Sequence, residues 1–250
     1  MATPEVRIIG LAGLPEVKPG DNLAALIVKA AHQGAGLESG DVVAVTQKIV
    51  SKAEDRIVSL AAVKPSPEAE RLAQETEKDP QLVELILQES SRIVRQREGV
   101  LITETRHGFV CANAGIDASN VGEGVVSLLP EDPDRSAAAI RTAIAEITGH
   151  QLAVIITDTF GRPWREGHLN VAIGLAGMAP FLDYVGQRDP HGYELRVSSL
   201  AVADELAAAA ELVMGKLSSV PVAIVRGYEY PPGSGTAREM VRPAERDLFR

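Results

Sequence analysis

The run Leu152–Ile156 is apolar throughout and stops abruptly at the polar triplet Thr157-Asp158-Thr159. A run of this length, bounded by polar residues, predicts one buried strand of a sheet that is covered on both faces. In open α/β sheets, ligands gather at the carboxyl ends of the strands, where side chains leave the core. We therefore expect Asp158 and Thr159 to stand at a candidate site, although Asp158 could equally cap a following turn.

The rest of the chain alternates β-rich runs with alanine- and leucine-rich helical stretches. This alternation is typical of a mixed α/β fold in which helices cover a sheet. A chain of 250 residues suits one domain or two small lobes, and we expect residues 1–250 to form one functional domain. The predicted strands are 6–10, 42–50, 152–157 and 220–226, with a hairpin of 99–103 and 108–112; the predicted helices are 22–33, 67–78, 80–97, 134–148 and 199–216.

The charge balance argues against several classes of partner. With a net charge of -9, the chain offers no general attraction for nucleic acid or anionic lipid. Cys111 is the only cysteine, and the five histidines show no zinc-ligand spacing. Neither a secretory signal nor an apolar run of about 18 residues is present. We expect a soluble protein of the reducing cytoplasm that does not enter a membrane.

A second oxygen-rich segment, Asn113–Asn120, follows the apolar stretch 109–112 and consists largely of small residues. Asp117 could ligate a metal, and Asn120 could contact a phosphate or a sugar hydroxyl. Carboxylate and hydroxyl oxygens are ligands that Mg²⁺ and Mn²⁺ prefer, so Asp117 is a candidate partner of Asp158. An Asx-rich surface turn would explain the same composition.

Basic side chains close to these segments are candidates for phosphate contacts. A lysine within 46–52, at the end of the second strand, could neutralise charge during phosphoryl transfer or could be a solvated edge residue. Arg162 and Arg165 could clamp a carboxylate or phosphate, or could pair with surface acids. The chain lacks the GxxxxGK[ST] and GxGxxG nucleotide loops and the GxSxG elbow, which argues against the common nucleotide folds and a serine hydrolase.

Taken in order, these motifs resemble the coenzyme F420-0:γ-glutamyl ligase family over nearly the whole chain. The motifs that carry the resemblance are Gly13-Leu14-Pro15, Gln47–Glu54, Asn113–Asn120, Ile155–Arg162, Val202–Glu205, Met214-Gly215-Lys216, Pro221–Gly227, Gly235–Arg238 and Asp247-Leu248-Phe249. The resemblance implies a ligase that uses GTP and a divalent metal to activate the carboxylate of a deazaflavin coenzyme precursor, F420-0, as an acyl phosphate. The amine of L-glutamate then attacks the acyl phosphate and forms a γ-type amide.

The resemblance also implies roles for individual residues. Its metal ligands fall on Asp117, Asp158 and Thr159, which would hold Mg²⁺ or Mn²⁺, two divalent ions in all, with K⁺ as a further candidate. Its catalytic residues fall on Asp117, Asp158 and Lys52. Its guanine-nucleotide contacts fall on Ala12, Gly13, Leu14, Pro15, Thr46, Gln47, Lys52, Asn120, Met214, Gly215 and Lys216.

Two departures from the family pattern accompany the resemblance. Some relatives carry a glutamate where this chain has Lys216, so water or a phosphate oxygen could complete the coordination of the second metal ion. The chain stops at Arg250, where certain bacterial relatives continue into a flavin reductase-like domain, so it could be a stand-alone ligase or the first domain of a longer protein. The resemblance implies an intertwined homodimer. Two rival readings stay open: a ligase for a different carboxylate acceptor, and a metal- and GTP-binding module without turnover.

Overall fold

The computed structural model describes residues 3–248; Phe249, which closes the last motif of the resemblance, lies outside the described residues. The strands are β1 (Arg7–Gly10), β2 (Val42–Thr46), β3 (Ile57–Ser59), β4 (Ser90–Arg97), β5 (Val100–Thr105), β6 (Val110–Ala112), β7 (Val125–Ser127), β8 (Ala153–Arg162), β9 (Arg165–Ala176), β10 (Leu182–Asp183), β11 (Ser199–Leu200) and β12 (Val222–Arg226). The helices are α1 (Leu23–His32), α2 (Gln47–Ala53), α3 (Pro67–Thr76), α4 (Pro80–Gln88), α5 (Pro133–Thr148) and α6 (Val202–Met214). The mixed α/β class is confirmed.

A five-stranded sheet with the order β1-β12-β2-β8-β9 forms the centre of the molecule. β2 and β8 are parallel, and the other neighbours are antiparallel. Because β12 runs opposite to both β1 and β2, the strands β1, β2 and β8 point the same way and their carboxyl ends meet at one edge. The start of β12 lies at that edge too, since Val222 pairs with Val45. We call this edge the site edge.

Helices cover both faces of the central sheet. Val154 and Ile156 of β8 pack in one core with side chains of α1 and α5, whereas Ile155 packs in a second core with side chains of α6. Successive strand side chains point to opposite faces, so both faces of β8 must be apolar. Burying each of these side chains contributes about 1.5–3 kcal/mol. This accounts for the unbroken apolar run of the sequence.

Two smaller sheets lie beside the central one, with the strand orders β4-β5-β6 and β3-β7. Leu101 of β5, Val126 of β7 and Leu85 of α4 share a core of their own. This core supports the loop that follows β6, which carries the segment Asn113–Asn120. Within residues 3–248, none of the helices combines the length and the apolarity needed to cross a bilayer.

The predicted helix 80–97 is wrong in its second half. α4 ends at Gln88, and the residues that follow form β4, which pairs antiparallel with β5. Arginine and glutamine favour a helix, but Ile93 of β4 packs against the small core when the segment is a strand. Tertiary pairing therefore outweighs local propensity in this segment.

The predicted strand 42–50 ends earlier, at Thr46, and α2 begins at the next residue. The hydroxyl of Ser51 donates to the side-chain oxygen of Gln47 over 2.9 Å, one helical turn away. Ile49 and Val50 are β-branched but buried, so packing rather than propensity sets their conformation.

Two further bounds differ from the prediction. The strand predicted at 152–157 is too short, because β8 continues to Arg162 by pairing with β9, a strand that the sequence analysis does not predict. The helix predicted at 199–216 begins only at Val202, since Ser199–Leu200 pairs with β10.

Candidate active site

Asp158 lies at the site edge, at the point where β8 leaves the five-stranded sheet. Thr157 is the last residue of β8 that pairs with β2. Asp158 pairs only with Val171 of β9, and its backbone stays extended, so no turn follows it to be capped. The strand therefore places Asp158 past the last β2 pairing without a change of direction, at a position that is half-buried.

Asp117 reaches the site from the loop after β6. Its main chain exchanges hydrogen bonds with Ser127 of β7 over 3.1 and 2.8 Å, which fixes the loop against the smaller sheet. Upstream, Asn113 and Ala114 take left-handed backbone angles, with φ of 53° and 55°. Such angles are strained for residues other than glycine and are common at functional loops.

Lys48 of α2 links the two parts of the site. Its Nζ donates to Asp117 Oδ2, to the main-chain oxygen of Ser119 and to Ser119 Oγ, each over 2.6 Å. Burial opposes the ionisation of Asp117, but hydrogen bonds from Lys48 and Ser119, together with the lysine charge, lower its pKa overall. Asp117 is therefore an ionised carboxylate at neutral pH.

Asp158 is in the opposite electrostatic situation. Burial raises its pKa to about 7, and the nearby negative charge of Asp117 adds to the rise. A hydrogen bond from the Thr159 main chain and the charges of Lys216 and Lys48 oppose it. The two carboxylates are thus close enough for their charges to interact, and a further positive charge beside them would favour the ionised form of Asp158.

Cys111 lies in β6, near Asp158. Burial and the charge of Asp158 raise the pKa of its thiol to about 12. A thiol in this state is protonated at neutral pH and is a poor nucleophile. Cys111 therefore packs in the wall of the site and does not act in covalent catalysis.

Thr159 belongs to a separate polar network. Its hydroxyl donates to Asn170 Oδ1 over 2.7 Å and accepts a hydrogen bond from Lys216. Asn170 in turn donates to Glu211 Oε2 over 2.9 Å, and the Lys216 ammonium lies 3.5 Å from the same carboxylate. The sequence analysis misses Asn170 and Glu211, because β9 is not predicted and Glu211 reads as an ordinary exposed helical residue.

The predicted nucleotide contacts come together by topology. The loop Ala12–Pro15 follows β1, the residues from Thr46 to Lys52 follow β2, and Met214–Lys216 precedes β12. The ends of all three strands lie at the site edge, beside the residues that follow β8. Segments that are far apart in sequence therefore converge on one side of the sheet.

The two lysines of α2 contact different parts of the site. Lys52 forms an ion pair with Glu16, next to the loop Ala12–Pro15, whereas Lys48 contacts Asp117. Gly13 takes a φ of 80°, which only glycine adopts without strain. Asn120 is exposed in the loop beyond Asp117. Lys48 is one of the two lysines that the sequence analysis offers for phosphate contacts, but the family resemblance gives a role only to Lys52; in the structure Lys48 contacts the candidate metal ligand Asp117, and Lys216 contacts Thr159.

The donor set at the site fits a hard cation. Asp117 and Asp158 offer carboxylate oxygens, and Ser119 offers a hydroxyl that contacts Asp117, whereas the Thr159 hydroxyl lies in the separate network with Asn170 and Lys216. Among residues 3–248, no group of three or more histidine, cysteine, aspartate or glutamate side chains is arranged to hold a metal ion. A cation such as Mg²⁺ suits this sparse set, since it keeps several waters and takes further oxygens from phosphates.

Comparison with known proteins gives consistent matches along the chain. A sequence model of the F420-0:Gamma-glutamyl ligase family matches residues 12–227. A protein named Coenzyme F420:L-glutamate ligase from Methanothermobacter thermautotrophicus is 51% identical over 249 residues, 98% of this chain and 99% of that protein. Proteins of the same name from Methanopyrus kandleri and Methanocaldococcus jannaschii are 47% and 42% identical, covering 99% and 98% of this chain and 98% and 97% of their own lengths.

Proposed function

Because this chain belongs to the F420-0:Gamma-glutamyl ligase family, we propose that it joins L-glutamate to coenzyme F420-0 through a γ-type amide, with GTP as co-substrate. The observation that carries the proposal is the pair Asp117 and Asp158, which lie in the loop after β6 and in β8 and are close enough for the charge of Asp117 to act on Asp158. Lys48 beside Asp117 adds the positive charge that a phosphate would meet.

The proposed chemistry proceeds through an acyl phosphate, since a free carboxylate is a poor electrophile. An oxygen of the acceptor carboxylate attacks the γ-phosphorus of GTP, and GDP leaves. The amine of glutamate then attacks the activated carbonyl carbon, the bond to the phosphate oxygen breaks, and phosphate and a proton are released. The protein contributes by positioning the reactants and stabilising charge.

Asp117, Asp158 and Thr159 would hold a divalent ion, Mg²⁺ or Mn²⁺, which neutralises phosphate charge when bound. Lys48 holds Asp117 in place and presents an ammonium to the same space. The loop Ala12–Pro15 and Lys52 would bind the nucleotide. Lys216 contacts Thr159 and Glu211. It occupies the position at which some relatives carry a glutamate that could bind a second divalent ion.

The proposal includes a cytoplasmic homodimer. Its support is the segment between β10 and β11, on which Val185, Tyr193 and Val197 are exposed by 52%, 64% and 89%. Exposed apolar side chains grouped on one segment favour burial against another protein surface. Sedimentation velocity of the purified chain tests this part, and a monomer at micromolar concentration would contradict it.

Mass spectrometry tests the function directly. The protein is incubated with F420-0, L-glutamate, GTP and Mn²⁺, and we expect a product heavier by one or more glutamyl residues together with GDP and phosphate. Omitting glutamate or replacing GTP by GDP should remove the product. Product formation only with another carboxylic acid would instead favour a ligase for a different acceptor. GTP binding without glutamate-dependent GDP release would indicate a module without turnover.

A further inference from the structure

The β8–β9 ribbon continues beyond the central sheet as an arm of fixed length. Asp158 stands at its base, and Arg162 pairs with Arg165 at its far end, so that Pro163 and Trp164 form the connecting turn. Four residues of extended strand separate Asp158 from Arg162, a distance of about 13 Å. We call residues 162–165 the ribbon tip.

Trp164, the only tryptophan of the chain, occupies an unfavourable place for its size. It takes a φ of 59° and is 76% exposed. The second residue of a two-residue turn with positive φ is ordinarily glycine or asparagine, and a bulky side chain there is strained. Neither the strain nor the exposure of a large apolar ring stabilises the fold, and such residues concentrate at binding sites.

The two arginines beside Trp164 have guanidinium N–H donors that could contact a ligand. Arg162 and Arg165 lie directly across the ribbon from each other, where like charges destabilise a strand pair. Arg162 donates to the main-chain oxygen of Glu166 over 2.7 Å, but its Nε is buried without a hydrogen-bond partner. In the described part of the chain, neither guanidinium forms an ion pair with a carboxylate. Planar donors in this arrangement suit an anionic ligand.

We propose that the ribbon tip binds the acceptor at a distance from its reacting carboxylate. Trp164 stacks on a flat heteroaromatic ring, while Arg162 and Arg165 contact the anionic chain between the ring and the carboxylate at Asp158. The inference rests on the proposed function, because the F420-0 acceptor carries a deazaflavin ring at the end remote from its reacting group. The tip thereby sets specificity for acceptors that possess a ring.

Steady-state kinetics of Trp164→Ala test the proposal. We expect the KM for F420-0 to rise about fivefold, because stacking of one aromatic pair contributes about 1 kcal/mol beyond burial. The kcat and the KM for GTP should change less than about twofold, since the tip lies away from the reacting atoms. Trp164→Phe, which keeps a ring, should restore most of the affinity. Equilibrium binding of F420-0 without GTP should weaken in parallel.

Ile147→Ala is the control, because Ile147 is a large apolar side chain exposed by 51% near the end of α5, at the edge of the sheet where β8 begins and away from the site edge. It should leave the KM for F420-0 unchanged. An unchanged KM for F420-0 in Trp164→Ala, or an equal rise in the KM for GTP, would overturn the proposal. Dissociation of a wild-type dimer by Trp164→Ala, seen by sedimentation velocity, would show instead that the tip is a subunit interface. Wild-type protein that forms no product from F420-0 would refute the proposed function itself.

Discussion

Neighbouring groups favour opposite protonation states in the two carboxylates at the site edge. Lys48 and Ser119 favour the ionised form of Asp117, whereas burial favours the protonated form of Asp158. A carboxylate that is about half protonated at neutral pH without ligand, and ionised with a cation beside it, couples ion binding to proton release. The sequence suggests both carboxylates as candidates, but it contains no sign of this difference, which depends on depth and on distant charges.

Asp158 gives the metal-free protein a specific dependence on pH. Its folded pKa of about 7 lies above the ordinary aspartate value of 3.8, so the folded state binds the extra proton between these values. The stabilisation is fully present below pH 4 and is lost as the pH rises to 7. Relative to Asp158→Asn, the wild type should lose stability over this window, by at most about 4 kcal/mol. Urea unfolding of both proteins in EDTA at pH 4.5 to 8 measures the difference, and parallel curves would contradict it.

The two lysines of α2 should have separable effects. Lys48 contacts Asp117, whereas Lys52 contacts Glu16 beside the nucleotide loop. We expect Lys48→Met to lower kcat by about 100-fold, the size of effect seen when one charge-stabilising group is removed. Lys52→Met should mainly raise the KM for GTP, by about tenfold. Initial rates at varied GTP distinguish the two, and the reverse pattern would exchange their roles.

Secondary-structure elements show where local sequence decides the fold and where it does not. α1, α3 and α5 lie close to their predicted positions because each has a side-chain cap at its start, from Asn22, Ser66 and Asp132. β4 and β9 escape prediction because pairing with a neighbouring strand, β5 or β8, stabilises each of them more than its own residue pattern does. For the same reason the sequence places Asp158 after a strand, when it lies within one.

The packing of β9 against α5 provides a test at the scale of elements. A Cβ atom at Gly174 of β9 would lie 2.4 Å from the main chain of Pro133, where α5 begins. Gly174→Ala should therefore separate the helix from the sheet and lower the free energy of unfolding by about 1–3 kcal/mol.

Gly34→Ala serves as the control for this substitution. Its nearest neighbour would be an oxygen 4.0 Å away, and its φ is not in the left-handed region. The change should be neutral or stabilise the protein by up to about 1 kcal/mol. Urea unfolding measures both variants, and equal effects of the two would contradict the close packing at Gly174.

The whole molecule assembles its site by strand order. β1, β2 and β8 end at the same edge at which β12 begins, so segments that follow or precede these strands meet in space. The family resemblance identifies these segments in the sequence. They converge because β12 lies between β1 and β2 and runs antiparallel to both. The proposed mechanism requires that Asp117 and Asp158 bind one divalent ion together.

Electron paramagnetic resonance of bound Mn²⁺, in the presence of a non-hydrolysable GTP analogue, tests this dependence most directly. Wild-type protein and Asp183→Asn, which alters a carboxylate on β10 away from the site, should bind the ion with the same affinity. Asp117→Asn and Asp158→Asn should each weaken binding by at least about tenfold. Binding of Mn²⁺ by either site variant with wild-type affinity would contradict the account.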